Sequence, residues 1–186
     1  MPSINRIVLH RESRALIKSL GPGKLDAAEI SGKFGEQFKF KSYTSLRYPR
    51  YDICAGPIAD DAGKVMKFDL ILANQVWEHL DRPYAATRNV YKMLRKGGYF
   101  WVAVPFVIPL HAAPVDCSRW SARGLGNLLV EGGFEESAVR TFQWGNRHAA
   151  LRNMEEKWPP EYDEETDDLT DDPKFPILSW AIAQKV

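Results

Sequence analysis

Two apolar stretches joined by an amphipathic segment constrain the fold of this chain more than any other feature. Residues 68–72 form a nearly continuous apolar run, which is typical of a strand buried on both faces of a parallel sheet. Residues 73–75 interrupt it with small and polar side chains, at the strand end where open α/β sheets bind ligands. Asp81 is a predicted N-cap. The helix after it would bury residues one turn apart: Ala86, Val90 and Leu94. Gly97 and Gly98 end that helix before a second apolar run, so the segment predicts a βαβ unit.

Length and composition limit the number of domains and the cellular setting. With 186 residues and 45% apolar residues, the chain fits one domain over 1–186, with an N-terminal helical segment over 1–23. Cys54 and Cys117 are far apart in sequence, so neither a zinc site nor a disulfide framework is predicted. Arginines interrupt the apolar residues near the start of the chain, and no apolar stretch is long enough to span a bilayer. We therefore expect a cytoplasmic protein without a membrane partner.

The net charge of +1 conceals an acidic segment over 155–172. It holds ten acidic residues and one basic residue, Lys157, whereas the rest of the chain has an excess of basic residues. A run this polar favours a solvated loop, and a lid that shields a basic substrate groove is the alternative. The pattern alone leaves both open.

Apolar periodicity and turn residues predict the remaining elements. Two further helices are expected, one over 12–20 and one capped by Ser121. The other strands are predicted over 25–29, 38–46, 51–54, 138–144 and 176–183. The alternation of short strands with helices favours an α/β architecture.

Residues 68–81 and 94–98 resemble motifs of the class I S-adenosylmethionine-dependent methyltransferases, in the small-molecule branch of that family. In that branch the fourth strand reads FDLILxNxVxEHL and the fifth follows an LRxGG turn, as both do here. The resemblance implies an α/β Rossmann-like sheet of order 3-2-1-4-5-7-6, with strand 7 antiparallel. It also implies S-adenosyl-L-methionine as cofactor and methyl transfer to a small-molecule acceptor, such as a sugar or another cell-envelope or secondary metabolite.

The turn after the first strand carries the cofactor residues that the resemblance implies. In the family's acidic-x-Gly-x-Gly-x-Gly pattern, Glu29 takes the acidic position and Gly35 the third glycine. Ser31 and Lys33 replace the other two glycines, and Gly32 lies one place away from a consensus glycine. Glycine permits the close backbone approach that such a ligand requires, so Glu29, Ser31, Gly32 and Gly35 are predicted to bind the cofactor. A purely structural turn is the alternative.

The region between Gly35 and Phe68 departs from the family pattern. Its 32 residues are too few for two strands and a full crossover helix, so the helix between strands 2 and 3 is predicted to be shortened or missing. The predicted second strand ends without the carboxylate that binds ribose in the family, and hydroxyl groups are the candidate substitutes: Ser42, Thr44 and Ser45. Three carboxylates could contact the adenine or simply form turns: Asp52, Asp60 and Asp61.

Asn74 and Gln75 match family positions near the methionine part of the cofactor. Amide side chains donate and accept hydrogen bonds, which suits a zwitterionic amino acid group. Both are therefore predicted to bind the cofactor. A buried amide that caps the next helix is the alternative.

Chemistry on the substrate side is predicted from two histidines and a loop motif. Residues 111–120 resemble the H-x-x-P-x-D-x-x-R-[YWF] element of related methyltransferases. The predicted catalytic residues are His79, His111 and Asp116, with a histidine as proton acceptor. The predicted substrate-binding residues are Arg119, Trp120 and Trp77. The structural alternatives are an Asp–Arg pair that only holds the loop, a histidine that only closes a hydrogen bond, and tryptophans in the core.

Two other functions remain open from the sequence. Basic and aromatic residues are interleaved over 33–50, which could follow a phosphate backbone and stack bases, although a half-buried strand requires the same alternation. An RNA methyltransferase is therefore the enzymatic alternative, with nucleic acid disfavoured as a partner. The incomplete glycine motif also admits a degenerate methyltransferase-like partner subunit without catalysis. The sequence shows no metal-ligand pattern and does not indicate an oligomeric state.

Overall fold

A six-stranded sheet forms the centre of the computed structural model, which describes residues 2–186. The strands are β1 (Asp26–Ile30), β2 (Ser42–Leu46), β3 (Phe68–Asn74), β4 (Leu94–Pro105), β5 (Val139–Trp144) and β6 (Leu178–Gln184). Their order is β2-β1-β3-β4-β6-β5. Strand β6 is antiparallel to both of its neighbours, and the other pairs are parallel. The predicted Rossmann-like class with an antiparallel closing strand is confirmed.

Four α-helices cover the two faces of the sheet: α1 (Ile4–Ser19), α2 (Pro83–Met93), α3 (Ala122–Glu131) and α4 (Arg147–Arg152). Side chains of β3 alternate between the faces, because successive strand residues point to opposite sides. Leu70 and Leu72 share an apolar cluster with residues of α1 and α4, whereas Ile71 and Ala73 share one with residues of α2 and α3. Burial on both faces explains the continuous apolar run. Among residues 2–186, no helix combines the length and apolar character needed to cross a bilayer.

The strand predicted over 51–54 is not formed, and the sheet therefore ends at β2. Residues 47–67 contain turns and one isolated bridge but no helix, which agrees with the shortened connection that the spacing predicts. Ile53 and Ile58 are buried in this loop. The Asn89 side chain donates a hydrogen bond of 2.8 Å to the carbonyl oxygen of Ile53. The loop thus covers apolar surface that a strand and helix cover in a complete sheet.

Several element boundaries differ from the predicted ones. Helix α1 begins well before residue 12, and β2 begins only at Ser42, so the aromatic residues before it lie outside the sheet. Arg82, not Asp81, is the N-cap of α2, and no side chain caps that helix. The predicted cap of α3 is confirmed, because the Ser121 hydroxyl accepts a hydrogen bond of 3.2 Å from the backbone N–H of Gly124.

The acidic segment over 155–172 is irregular in backbone but packed against the rest of the protein. The carboxylate of Asp167 is buried and lies 2.9 Å from Nε2 of His148 in α4. The Asn146 side chain donates a hydrogen bond of 2.9 Å to the carbonyl oxygen of Asp168. These contacts attach the segment to α4 and to the turn before it.

The start of the chain contacts the same segment. Asn5 and Asn153 exchange two side-chain hydrogen bonds, of 2.8 and 3.0 Å. The backbone N–H of Tyr162 donates a hydrogen bond of 3.0 Å to the carbonyl oxygen of Pro2. Helix α1 and residues 153–162 therefore form adjoining surfaces over the carboxyl ends of the parallel strands.

Candidate functional site

A cavity of about 750 Å³ opens at the carboxyl ends of β1, β3 and β4. Lys33 borders it after β1, Asn74 and Gln75 border it at the end of β3, and His111 borders it after β4. Helix α1 and Trp158 of the acidic segment form further walls. The ends of β1 and β3 thus meet at a hollow large enough for a small ligand, at the sheet edge where α/β proteins bind their ligands.

The carboxylate of Glu29 holds the turn after β1 in place. Its Oε1 accepts a hydrogen bond of 2.8 Å from the backbone N–H of Phe34. Its Oε2 accepts hydrogen bonds of 2.6 Å from the backbone N–H of Gly35 and from the Tyr43 hydroxyl. Glu29 is fully buried, and burial together with this carboxylate raises the pKa of the Tyr43 hydroxyl. Glu29 therefore acts on the shape of the turn, and the predicted direct contact with a cofactor is replaced by an indirect role.

The two glycines of the turn leave room for that carboxylate. A Cβ at Gly32 would lie 1.9 Å from Oε1 of Glu29, and a Cβ at Gly35 would lie 2.5 Å from Cε2 of Tyr43. Glycine is therefore required at these two positions because the protein's own side chains, Glu29 and Tyr43, approach the backbone closely. Ser31 has a φ of 54°, in the left-handed region that favours glycine, so the backbone geometry survives where the residue type has changed. From this turn, Lys33 and Phe34 are the residues that border the cavity.

Asn74 borders the cavity and has an unsatisfied polar atom. Its Oδ1 is buried and has no hydrogen-bond partner among the described residues. An unpaired buried acceptor costs about 1–3 kcal/mol, so it fits a site where a ligand supplies the donor. The neighbouring Gln75 has a φ of 55° and is anchored by a backbone hydrogen bond of 2.9 Å to Ala103. Left-handed backbone at a residue other than glycine is typical of ligand sites.

His111 is the histidine that reaches the cavity on the β4 side. Its ring lies 4.9 Å from that of His79 and 5.1 Å from that of Trp158, measured between centroids. Burial and the nearby His79 lower the pKa of His111, so its ring is neutral near pH 7 and can accept a proton. His79 lies behind it, with Nδ1 bonded to the carbonyl oxygen of Val115. The structure thus brings the two predicted histidines together but places only His111 at the cavity wall.

Asp116 and Arg119 form a pair that positions His111. Both carboxylate oxygens of Asp116 bond to the guanidinium of Arg119, and Oδ2 also accepts a hydrogen bond of 2.6 Å from the backbone N–H of His111. The bonded guanidinium holds the pKa of Asp116 below its usual range. Arg119 also donates a hydrogen bond of 2.9 Å to the Ser118 carbonyl oxygen. This geometry favours the loop-holding alternative over a grip on substrate.

The two tryptophans predicted to contact substrate belong to the apolar core, which favours the structural alternative. Trp77 is fully buried, donates a hydrogen bond of 3.0 Å from Nε1 to the Thr87 hydroxyl, and packs 5.1 Å from the Phe100 ring. Trp120 is 8% exposed and belongs to the same apolar cluster. Trp77 is buried because the short helical turn over Trp77–His79 directs it beneath α2.

Glu78 is a buried carboxylate that was not predicted from the sequence to belong to the site. Its side chain is fully buried, and neither carboxylate oxygen has a hydrogen-bond partner among residues 2–186. Nε2 of His79 lies 3.9 Å from Oε1. Burial raises the pKa of Glu78 to about 8, so the carboxyl is largely protonated at neutral pH. A carboxylate between Trp77 and His79, directly after a buried strand, was the signal that could have found it.

The candidates for ribose and adenine are mostly engaged in local structure. Asp52 and Asp60 each accept hydrogen bonds from backbone N–H groups two residues later, of 2.8 and 3.0 Å, as turn residues do. Ser42 donates a hydrogen bond of 2.9 Å to Asp26 at the amino end of the strands, far from the cavity edge. Asp61 and Asp52 border a separate depression of about 460 Å³. These contacts favour the turn alternative for Asp52 and Asp60.

Comparisons with known proteins agree with this fold. Residues 11–100 match the model of a family described as a methyltransferase domain. A SAM-dependent methyltransferase from Thermotoga maritima, described as a possible histamine N-methyltransferase, is 18% identical; 98% of this chain and 94% of that chain are covered, with a TM-score of 0.61. A SAM-dependent methyltransferase from Archaeoglobus fulgidus is 13% identical, with coverage of 97% and 94% and a TM-score of 0.59.

A third structure is the phosphoethanolamine N-methyltransferase 2 of Haemonchus contortus in complex with S-adenosyl-L-methionine. It is 11% identical, 94% of this chain and 52% of that chain are covered, and the TM-score is 0.56. No curated protein matches this chain by sequence.

A parallel sheet with a cavity at its carboxyl edge defines a Rossmann-like fold of the kind that binds nucleoside cofactors. Residues 11–100 match the methyltransferase domain family, and the fold of the whole chain is that of S-adenosylmethionine-dependent methyltransferases of known structure. S-adenosyl-L-methionine is the ligand bound in the Haemonchus contortus structure of this fold.

Proposed function

We propose that the protein transfers a methyl group from S-adenosyl-L-methionine to a small-molecule acceptor, such as a sugar or another cell-envelope or secondary metabolite. The observation that carries the proposal is that Asn74, whose Oδ1 is buried without a partner, borders the 750 Å³ cavity. A buried amide oxygen without a donor matches the ammonium group of the cofactor's methionine part. Lys33 borders the same cavity and carries the charge that the carboxylate of that amino acid requires.

The protein's own residues account for the rest of the mechanism. When bound, S-adenosyl-L-methionine supplies a methyl group on a sulfonium, which becomes a neutral thioether as the bond from carbon to the acceptor forms. Glu29 keeps the turn after β1 in the shape that places Lys33 and Phe34 at the wall. His111, neutral near pH 7, takes the proton released by an acceptor hydroxyl or amine. Asp116 fixes the backbone of His111 through its N–H group.

A small acceptor is favoured over RNA by the packing of the aromatic residues before and within β2. The Phe38 and Phe40 rings lie 5.6 Å apart, and those of Phe40 and Tyr43 lie 5.9 Å apart. Tyr43 also bonds to the buried Glu29. Rings that pack on one another are poor platforms for base stacking, which needs a free face. Walls from α1 and Trp158 also narrow the cavity to the size of a metabolite.

Substitution of Asn74 tests the cofactor site. Asn74→Leu removes the oxygen acceptor at similar volume, and we expect the affinity for S-adenosylhomocysteine to fall about tenfold to a hundredfold, the cost of one hydrogen bond to a charged group. Asn74→Asp keeps the acceptor and should bind within a few-fold of the wild type. Titration calorimetry measures both. Failure of the wild type to bind S-adenosylhomocysteine at millimolar concentration would leave the degenerate partner subunit as the better account.

Transfer of a labelled methyl group tests the acceptor class. With methyl-labelled S-adenosylmethionine, we expect label to enter a small-metabolite extract and not total RNA. His111→Asn should lower the transfer rate about a hundredfold or more, since it removes the proton acceptor without adding charge. His148→Asn, which replaces a histidine outside the cavity, is the control. Label found only in RNA would show that the acceptor is RNA and not a small molecule.

A further inference from the structure

Three basic side chains of α1 form a stripe along the wall of the cavity. Arg6, His10 and Arg14 are spaced four residues apart, which places them on one face of the helix, and all three border the cavity. Lys33 borders it as well. Among the described residues that line the cavity, none is an aspartate or a glutamate. The cavity therefore has an excess of positive charge, whereas the whole chain is nearly neutral.

Arg6 and Arg14 lack the acidic partners that Arg11 and Arg95 have. Arg11, on the same helix, lies 2.8 Å from Glu12, and Arg95 lies 2.9 Å from Asp69. Within residues 2–186, Arg14 donates to the neutral side chain of Gln37, and neither Arg6 nor Arg14 forms an ion pair with a carboxylate. Arg6 and Arg14 therefore have guanidinium groups at the cavity wall that are available to bind an anion.

The electrostatic effect of the stripe reaches His10 between the two arginines. Burial, then Arg14 and Arg6, lower the pKa of His10. The His10 ring also packs 5.0 Å from the Phe34 ring, which fixes it at the cavity wall. Arg119, the residue predicted to hold an anion, is occupied by Asp116. The arginines that border the cavity and remain free to bind an anion are therefore those of α1.

From this geometry we infer that the acceptor carries a phosphate or carboxylate group, held over His10 between Arg6 and Arg14. The inference rests on the proposed function, because it assigns the acceptor of the same cavity. It restricts that acceptor to acidic or phosphorylated metabolites. Guanidinium groups bind both anions through paired N–H donors, so the shared chemistry is assigned and the experiment separates the two.

The test titrates inorganic pyrophosphate and glutarate separately into protein saturated with S-adenosylhomocysteine, at low ionic strength. We expect at least one anion to bind, and its affinity to fall about tenfold or more in Arg6→Gln and in Arg14→Gln. Arg11→Gln is the matched control, since Arg11 lies on the same helix outside the cavity, and it should bind like the wild type. Binding of pyrophosphate alone indicates a phosphorylated acceptor, and binding of glutarate alone a carboxylate.

Absence of binding for both anions, or equal loss in Arg11→Gln, would overturn the inference. Both arginines are exposed, and a melting curve verifies that each variant is folded. As a second measurement in the wild type, saturating anion should raise the pKa of His10 in an NMR titration, and an unchanged value would also overturn the inference. The titrations are repeated without S-adenosylhomocysteine. If the protein binds an anion but does not bind S-adenosylhomocysteine, the proposed function is contradicted while the anion site is retained.

Discussion

Replacing Glu29 with alanine is expected to lower the free energy of unfolding by about 4 kcal/mol and to abolish binding of S-adenosylhomocysteine. The carboxylate accepts three hydrogen bonds of 2.6–2.8 Å, two of them from backbone N–H groups of the turn. Without it, those buried N–H groups lose their acceptor, and the turn loses the shape that places Lys33 and Phe34 at the cavity. Chemical denaturation and titration calorimetry measure the two effects.

Tyr43→Phe is the control for this prediction. It removes only the hydroxyl donor to Glu29 and leaves both backbone hydrogen bonds in place, so a loss of about 1–2 kcal/mol with largely retained nucleoside binding is expected. If Glu29→Ala binds S-adenosylhomocysteine as tightly as the wild type, the turn does not depend on this carboxylate.

Replacing Glu78 with glutamine is expected to flatten the dependence of stability on pH. The pKa of Glu78 in the folded protein is raised to about 8 from an ordinary value of 4.5. Between these values the folded state binds the proton more tightly than the unfolded state, so stability falls as pH rises, by up to about 1.4 kcal/mol per pH unit. Glutamine does not titrate. The stability of Glu78→Gln relative to the wild type should therefore increase by about 3.5 kcal/mol from pH 5 to pH 8.

Denaturant titrations at a series of pH values measure this change. Glu131→Gln serves as the control, because Glu131 is exposed at the end of α3 and its substitution should leave the pH dependence as in the wild type. Parallel curves for Glu78→Gln and the wild type would show that Glu78 is ionised in the folded protein, and the description of its site would be wrong.

The central βαβ unit could be predicted from the sequence because its signals are local and physically strong. Burial on both faces of the sheet requires the apolar runs of β3 and β4, and the spacing of Ala86 and Val90 follows one face of α2. The short connection before Phe68 also predicted the lost helix correctly. The prediction of a strand over 51–54 was wrong. A strand forms only where a neighbouring strand is available for hydrogen bonding, and the local pattern of apolar and polar residues contains no information on that neighbour.

The site was less predictable because its residues depend on rotation and burial. Trp77, Glu78 and His79 are consecutive, yet Trp77 enters the core, Glu78 is buried without partners and His79 lies behind His111. One short helical turn sets these three directions, and the sequence pattern does not specify its rotation. The stripe on α1 was not predicted, because apolar periodicity defined a helix only over 12–20, although the segment over 1–23 was expected to be helical.

The contact between the start of the chain and residues 153–162 affects how the protein should be handled. Pro2 is hydrogen-bonded to Tyr162, beside the residues that wall the cavity. Gln184, by contrast, pairs with Tyr99 near the amino ends of the parallel strands, at the edge of the sheet opposite the cavity. A purification tag fused ahead of Pro2 would therefore lie close to the cavity, whereas one fused after Val186 would lie at the opposite edge of the sheet.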